Sequence, residues 1–247
     1  MSQVKWNVEH LDHVDSTNAW LAQRARDGAG EGLVVYSEYQ SAGRGRLDRE
    51  WHAPPGSSLL CSALLVPPAS LGAPQWMLVA AALSLCDALE ELTEVRPTLK
   101  WPNDVLFGDA KVAGLLAEVI PTTTPKIVVG LGVNLTDVDP AFEFATTVVA
   151  ATGESLAASQ VLRAYLAALG QRRAVLDTPE GANTLRNEYA QALSTLGRRV
   201  RVELTEGPMW GRAVGVDEQG ALKVDTGSEV RAFTAGDVVH VRREDEG

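Results

Sequence analysis

A short basic segment rich in glycine is the first part of the sequence whose residue types could do chemistry. It holds three arginines, in a chain whose formal net charge is −10, and it reads Gln40-Ser41-Ala42-Gly43-Arg44-Gly45-Arg46-Leu47-Asp48-Arg49-Glu50-Trp51. Guanidinium groups match the geometry of carboxylates and phosphates, and glycines let the backbone approach a ligand closely. The segment predicts an anion-binding loop, and a solvated basic turn is the alternative. No Gly-Lys-Ser/Thr follows, which excludes a Walker A loop.

A second segment combines a turn with a lysine at the start of an apolar strand. Asn103 and Asp104 follow Pro102, a combination typical of turns. Lys111 then opens the run Val112-Ala113-Gly114-Leu115-Leu116-Ala117-Glu118. Strand alternation predicts that Val112, Gly114, Leu116 and Glu118 lie on the face opposite Lys111. Lys111 could neutralise a carboxylate and then a phosphate, and a surface lysine at a strand end is the alternative.

Two further segments carry polar groups beside glycines or at a helix start. Gly130 and Gly132 precede Asn134 in an apolar strand, where glycine often marks the close approach of a ligand or another backbone. Asn134 needs a hydrogen-bond partner there, and a bulge with a satisfied asparagine is the alternative. The segment Asp15-Ser16-Thr17-Asn18 suits a helix N-cap. Its hydroxyl and amide groups could also bind an uncharged polar ligand head.

The histidines and cysteines give less evidence of a functional site. His10 and His13 are three residues apart, but no cluster of cysteines or carboxylates repeats that spacing, so no metal site is predicted. Cys61 and Cys86 lie among apolar neighbours and are predicted to be reduced core thiols.

The elements that must position these residues follow from hydrophobic periodicity. Strands are predicted at 33–39, 58–66, 99–101, 111–120 and 126–135, with a hairpin connection at 121–125. Helices are predicted at 75–92, 155–176 and 179–196, with Ser155 and Thr178 as N-caps of the last two. From residue 198 to 242 short alternating segments with turn residues between them predict a small closed sheet of five strands.

The pattern as a whole predicts two domains, residues 1–196 and 197–247. The first mixes helices and strands in a way that predicts an α/β or α+β fold with a mixed sheet. The excess of acidic residues gives no global attraction for nucleic acid or for an anionic membrane. The first ten residues lack the apolar region of a signal peptide, and no run has the length of a membrane span. We therefore expect a cytoplasmic protein.

The order and combination of these segments resembles the biotin protein ligase family. The most specific parts are the Gly-Arg-Gly-Arg…Trp and Lys-Trp-Pro-Asn-Asp motifs, and the resemblance covers nearly the whole chain. It implies a catalytic domain with a mixed sheet, like that of class II aminoacyl-tRNA synthetases, followed by a small SH3-like β-barrel.

The resemblance also implies a reaction in two steps that uses biotin, ATP and Mg²⁺. Biotin's carboxylate attacks the α-phosphate of ATP to give biotinyl-5′-AMP and pyrophosphate, and a lysine of a biotin carboxyl carrier protein then displaces AMP. Both partners of the first step are anions, so positioning and charge neutralisation would carry the catalysis.

Site residues follow from the same resemblance. Biotin would be bound by Ser16, Thr17, Asn18, Gln40, Arg44, Gly45, Arg46, Lys111 and Gly114. The nucleotide would be bound by Arg44, Arg46, Arg49, Trp51, Asn103, Asp104, Lys111 and Asn134. The catalytic residues would be Lys111, Arg44 and Asp104, where Asp104 polarises the incoming lysine. Mg²⁺ would enter with ATP, without a firm set of protein ligands.

Two departures from the family pattern carry expectations of their own. Leu47 and Asp48 stand where some relatives have a basic residue and a glycine, so we expect a less cationic and less mobile loop. The motif at Asp15 begins within the first twenty residues, which leaves no room for the winged helix of some members, so we expect no repressor activity. A lipoate or octanoate ligase or transferase, and a non-catalytic biotin-binding regulator, are the alternative functions. Monomer and homodimer both stay open.

Overall fold

Two β-sheets and the helices packed on them make up the part of the chain that the computed structural model describes, which is residues 4–47, 49–69, 71–139, 142, 144–204, 207–234 and 236–240. The strands are β1 (Asn7–Leu11), β2 (Leu33–Ser37), β3 (Ser58–Leu65), β4 (Thr98–Lys100), β5 (Asp104–Phe107), β6 (Ala110–Ile120), β7 (Lys126–Asn134), β8 (Arg199–Glu203), β9 (Met209–Val216), β10 (Leu222–Asp225), β11 (Val230–Phe233) and β12 (Asp237–His240). The helices are α1 (Thr17–Arg26), α2 (Gln75–Thr93), α3 (Val148–Thr152), α4 (Ala158–Val175) and α5 (Gly181–Ala192).

The larger sheet has seven strands in the order β1-β2-β3-β7-β6-β5-β4. Strand β1 pairs with β2 in parallel, whereas every other neighbouring pair in this sheet is antiparallel. The sheet is therefore mixed, which confirms the predicted α+β class. Its centre is β3, β7 and β6, and all eight residues of β3 are buried.

Helices cover both faces of the larger sheet, and strand alternation explains how one strand serves both. On β3, Leu59, Cys61 and Ala63 belong to a core cluster with α2 and α4, whereas Leu64 packs in a second cluster with α1. Burial raises the pKa of the Cys61 thiol to about 12, which fits the predicted core thiol.

Several predicted elements form close to their expected bounds, and three elements were missed. The missed elements are β1, β5 and α3. Strand β1 is a largely exposed edge strand, α3 is a single turn of five residues, and β5 begins at Asp104, where a turn was predicted. An exposed edge and very short elements leave almost no hydrophobic periodicity in a sequence.

The two predicted N-caps of the long C-terminal helices are wrong. Helix α4 begins after Ala157, whose backbone N–H donates to the side chain of Gln160 at 2.8 Å. Helix α5 begins after Glu180, because the Thr178 hydroxyl donates to Val175 O at the end of the preceding helix.

The smaller sheet has five antiparallel strands in the order β11-β10-β9-β8-β12. Val200, Val202 and Val224 point inward, and they join the same core cluster as α2. Two tryptophans of the larger part donate to one turn of the smaller part: Trp76 Nε1 lies 3.0 Å from Glu218 O, and Trp101 Nε1 lies 3.1 Å from Gly220 O. This sheet is consistent with the SH3-like barrel that the resemblance implied; the last predicted strand position, Val241, lies outside the described residues.

Within the described part of the chain, none of the helices combines the length and apolar character needed to cross a membrane.

Candidate active site

The start of helix α1 forms a polar cluster with the segment that follows β2. Ser16 is the N-cap, as predicted, and its hydroxyl accepts from Ala19 N at 3.4 Å. Gln40 Oε1 accepts from Thr17 N at 2.7 Å and from Thr17 Oγ1 at 3.0 Å. The structure therefore brings together two of the predicted biotin-binding segments, although they are more than twenty residues apart.

Asn18 extends this cluster toward the centre of the sheet. Its Nδ2 donates to Glu118 Oε1 at 2.8 Å, and its Oδ1 lies 2.6 Å from the Ser62 hydroxyl. Ser62 also lies 2.8 Å from Thr17 Oγ1 and is fully buried. A Cβ at Gly130 would lie 2.1 Å from Asn18 Oδ1, so only glycine at this position leaves enough space for the Asn18 side chain.

Ser62 and Glu118 were not among the predicted site residues. Each is a polar residue inside an apolar strand, and a buried polar group requires a partner. That signal could have identified both of them, since the same argument had singled out Asn134.

The arginine loop (residues 40–51) folds back on itself as a small hairpin. Arg44 and Glu50 form an antiparallel bridge, and Gly45 N donates to Arg49 O at 2.7 Å. Leu47 lies at the tip, exposed and in the left-handed region with φ of 54°. Asp48 lies outside the described residues, and the expected lower mobility of the loop stays a prediction. The side chain of Arg44 is exposed.

Trp51 is the last residue of this hairpin, and its ring lies over two glycines, Gly114 and Gly132. These glycines, called here the glycine pair, face each other on β6 and β7. A Cβ at Gly132 would lie 2.5 Å from the Trp51 ring, and one at Gly114 would lie 3.1 Å from it. The indole Nε1 is buried and has no hydrogen-bond partner among the residues that the structure describes. Gly130 and Gly132 share one face of β7, so Asn18 and Trp51 are neighbours on the sheet.

Lys111 lies beside the same glycine pair, on a face that strand alternation did not predict. Its Nζ lies 2.6 Å from Asp104 Oδ1 and 5.6 Å from the centroid of the Trp51 ring. Val105 pairs with Ala113 but Leu106 pairs with Lys111, so Val112 is the extra residue of a β-bulge. The prediction that Gly114 and Glu118 lie opposite Lys111 is wrong because this bulge reverses the alternation.

The two asparagines of the predicted nucleotide site are held by main-chain carbonyls. Asn103 Nδ2 donates to Leu115 O at 2.7 Å, and Asn103 Oδ1 accepts from Arg46 at 3.4 Å. Asn134 Nδ2 donates to Thr146 O at 3.2 Å, and the residue is buried. Asn103 therefore joins the arginine loop, whereas Asn134 is turned toward the segment before α3.

The two remaining arginines of the loop reach the smaller sheet. Arg46 donates to Gly236 O at 3.3 and 3.4 Å, and Arg49 forms an ion pair with Asp237. Burial lowers the pKa of Arg46, and the carboxylates of Asp237 and Asp104 oppose that shift. Burial also lowers the pKa of Lys100, and Asp104 opposes this shift in the same way.

Taken together, the site has a polar end, where the Glu118 carboxylate accepts from Asn18 beside hydroxyl and amide groups, and a cationic end, joined by the glycine pair. The polar end could bind a neutral head group with donors and acceptors, and the cationic end could hold a carboxylate and a phosphate. In the described part of the chain, no three His, Cys, Asp or Glu residues are grouped so that they could hold a metal ion.

The sequence matches two family models. Residues 11–134 match the biotin/lipoate A/B protein ligase family, and residues 195–241 match the biotin protein ligase C-terminal domain.

Individual relatives cover most of the chain. A biotin–[acetyl-CoA-carboxylase] ligase of Mycobacterium tuberculosis is 40% identical over 92% of this chain and 86% of its own length. One of Paracoccus denitrificans is 34% identical over 86% of this chain and 91% of its own length. Among solved structures, the biotin protein ligase of Aquifex aeolicus in complex with biotin and ATP has a TM-score of 0.82, at 29% identity, over 96% of this chain and 99% of that one. The present chain thus belongs to the biotin/lipoate A/B protein ligase family.

Proposed function

We propose that this chain is a biotin protein ligase, which activates biotin with ATP and transfers it to a lysine of a carrier protein. The observation that carries the proposal is the single line of contacts from Thr17 and Asn18, past the glycine pair, to Lys111. Biotin has the same polarity along its length, with a neutral ureido head at one end and a carboxylate at the other. The named relatives and the Aquifex complex support this choice of substrates.

The polar end suits the ureido head because its groups are fixed before the ligand arrives. Gln40, Ser62 and Glu118 each contact Thr17 or Asn18, so those two side chains have little freedom to lose on binding. Ser16, at the N-cap, would line the same end. Preorganised donors and acceptors favour a ligand that satisfies them and disfavour an apolar analogue. Lipoate has a dithiolane ring in place of the ureido group, so we expect it to bind poorly.

In the first step, a carboxylate oxygen of biotin forms a bond to the α-phosphorus of ATP, and pyrophosphate leaves with the electrons of the bond that breaks. Lys111, with Arg44 and Arg46 from the loop, would neutralise the charge that accumulates around that phosphorus. Gly45 and Gly114 stay proposed biotin contacts; the missing side chain of Gly114 lets Lys111 and Trp51 lie close to the sheet, and that of Gly45 lets the hairpin close on Arg49. Arg49, Trp51, Asn103 and Asn134 would serve the nucleotide. Mg²⁺ bound to ATP would offset phosphate charge, and Asp104 is the carboxylate beside the cationic end that could hold it.

In the second step, the amine of the carrier lysine attacks the carbonyl of biotinyl-5′-AMP and AMP leaves. Asp104 lies at the cationic end, 2.6 Å from Lys111, where it could accept hydrogen bonds from an incoming amine. We propose this role for Asp104 in addition to its pairing with Lys111. The carrier would be a biotin carboxyl carrier protein, because the relatives are named for acetyl-CoA carboxylase.

We place the catalytic residues in a unit of residues 1–196 and assign residues 197–247 to a unit that closes the site from one side. Three further statements stay predictions: the chain binds no DNA, it works in the cytoplasm, and it acts as a monomer or homodimer. Band-shift, localisation and sedimentation measurements would test these three in turn.

The test of the proposed function is ATP–pyrophosphate exchange measured with biotin and with lipoate side by side. We expect exchange that depends on biotin and is at least tenfold slower with lipoate. Exchange driven only by lipoate would favour the lipoate ligase alternative. Biotin binding with neither exchange nor transfer would instead favour the non-catalytic regulator.

A further inference from the structure

The smaller sheet contributes an acidic side chain to the arginine loop, at the first residue of β12. Asp237 pairs with Glu203 on β8, and the next residue, Val238, is buried in the sheet's own core. Alternation along β12 therefore turns Asp237 away from that core. There it forms an ion pair with Arg49, while the carbonyl of Gly236 accepts from Arg46.

The charges around this contact are mostly positive. Burial lowers the pKa of both Arg46 and Lys100, and the Asp237 carboxylate opposes both shifts. It therefore acts on three cations, of which Arg49 is the direct partner. A second carboxylate close to them in the described part of the chain, Asp104, is already paired with Lys111 at 2.6 Å. Asp237 has an exposed side-chain fraction of 22%, lower than the 66% of Arg49. It is therefore a partly enclosed counter-charge for the loop.

The hairpin of the arginine loop contacts both sheets. Trp51 rests on the glycine pair of the larger sheet, and Arg46 and Arg49 contact Gly236 and Asp237 of the smaller sheet. An isolated two-stranded hairpin is marginally stable at best in water. These external contacts must therefore supply much of the order of the loop.

We infer that Asp237 is a positioning residue for the adenylation reaction, which holds the arginine loop against the smaller sheet so that Arg46 and Arg49 stay near the phosphates of ATP. The inference rests on the proposed function, because it takes the loop to be the phosphate-binding wall of the site. It gives the smaller sheet a part in building the active site, although that sheet supplies none of the predicted substrate-binding residues.

The experiment compares the full-length protein with its Asp237→Asn variant in biotin-dependent ATP–pyrophosphate exchange. A partly exposed ion pair is worth roughly a factor of five. We therefore expect the KM for ATP to rise about fivefold, with kcat within twofold and the KM for biotin unchanged. Asp237→Glu should restore the KM for ATP to within twofold. Glu229→Gln, which removes an exposed carboxylate of the same sheet, is the matched control and should change nothing.

A second readout follows the loop itself, because trypsin cleaves after arginine. We expect cleavage after Arg44, Arg46 or Arg49, identified by mass spectrometry, to be several-fold faster in Asp237→Asn than in the unchanged protein or in Glu229→Gln. This readout needs no turnover. It still tests the loop contact if the unchanged protein shows no exchange with biotin, a result that would overturn the proposed function alone.

A double-mutant comparison separates the loop contact from an independent effect of Asp237. Once Arg49→Gln has removed the partner, adding Asp237→Asn should raise the KM for ATP by less than twofold further. The inference is overturned if Asp237→Asn raises the KM for ATP fivefold both in the otherwise unchanged protein and in Arg49→Gln. It is equally overturned by an unchanged KM and cleavage rate in Asp237→Asn, or by a lower KM, which would mean that Asp237 competes with phosphate for the arginines.

Discussion

Lys111 is the residue on which the charge chemistry of the site depends. Its ammonium lies beside the glycine pair, Asp104 and Trp51, on the face to which the bulge in β6 turns it. We expect Lys111→Ala to lower ATP–pyrophosphate exchange by about 100-fold or more, the scale seen when a charge-stabilising group is removed. The circular dichroism spectrum should be unchanged. Lys223→Ala, at an exposed position of the smaller sheet, serves as control. Near-normal exchange in Lys111→Ala would remove Lys111 from the mechanism.

Gly130 tests the polar end of the site independently of charge. A Cβ at this position would lie 2.1 Å from Asn18 Oδ1, so Gly130→Ala must displace Asn18 from Ser62 and Glu118. We expect the KM for biotin to rise about tenfold, the cost of roughly one hydrogen bond, while the KM for ATP stays within twofold. Gly215→Ala is the matched control, because a Cβ at that strand glycine meets nothing within 4 Å. Equal KM values for biotin in both variants would contradict this role of Asn18.

For single residues, the sequence identified which side chains could belong to the site, but it identified few of the side chains that they contact. The helix start at Ser16 to Asn18, the loop arginines and Lys111 were all singled out from chemistry. In the structure Asn18 and Lys111 lie against glycines on one face of the larger sheet. Ser62 was missed because the buried-polar argument that singled out Asn134 was not applied to β3, which is buried along its whole length. Its partner Asn18 is 44 residues away, and only the folded chain joins them.

Among the elements, the long ones were predictable and the irregular ones were not. Helix α2 and strands β3, β6 and β7 carry strong hydrophobic patterns, and their predicted bounds differ from the observed ones by a residue at most. The bulge at Val112 left no mark in the sequence, because Val112 fits an apolar strand equally well with or without it. The exposed edge strand β1 and the five-residue helix α3 were not predicted because neither has a hydrophobic pattern.

Helix α4 carries a buried arginine that joins it to the sheet. Arg173 pairs with Glu31 at 2.9 Å and with Asp177 at 2.7 Å, and it donates to Val66 O at 2.8 Å. We expect Arg173→Met to lower the free energy of unfolding by about 2 kcal/mol, since it leaves the half-buried Glu31 without its cation. Urea denaturation would measure this.

The control for that prediction is Arg163→Met, on an exposed position of the same helix, which should change stability by less than about 0.5 kcal/mol. Equal stability of the two variants would show that the Arg173 cluster contributes nothing measurable.

In the whole molecule, the two sheets are joined through one hydrophobic cluster and through a histidine at the junction. His240 Nε2 lies 3.0 Å from Thr195 Oγ1. Burial, together with the charges of Lys100 and Arg198, lowers the pKa of His240 to about 4. An unfolded chain would protonate this histidine near pH 6.5. Between these two values the unfolded state binds a proton that the folded state does not, so stability falls as the pH is lowered through this window.

The corresponding prediction concerns the pH dependence of unfolding. Between pH 7 and pH 5 we expect His240→Gln to lose about 1 kcal/mol less stability than the unchanged protein, an order of magnitude that allows for partial exposure of the ring. Urea denaturation at both pH values gives the comparison. Parallel losses in the two proteins would mean that His240 is not held neutral at the junction.

The proposed function requires that this chain joins biotin to a protein lysine at the expense of ATP. Its most direct test is transfer of labelled biotin to a purified biotin carboxyl carrier domain, with and without ATP and Mg²⁺, followed by mass spectrometry of the carrier. We expect one biotin on one carrier lysine, formed only when ATP and Mg²⁺ are both present and strongly reduced in Lys111→Ala. A carrier that stays unmodified under the complete conditions, or that accepts lipoate but not biotin, would contradict it.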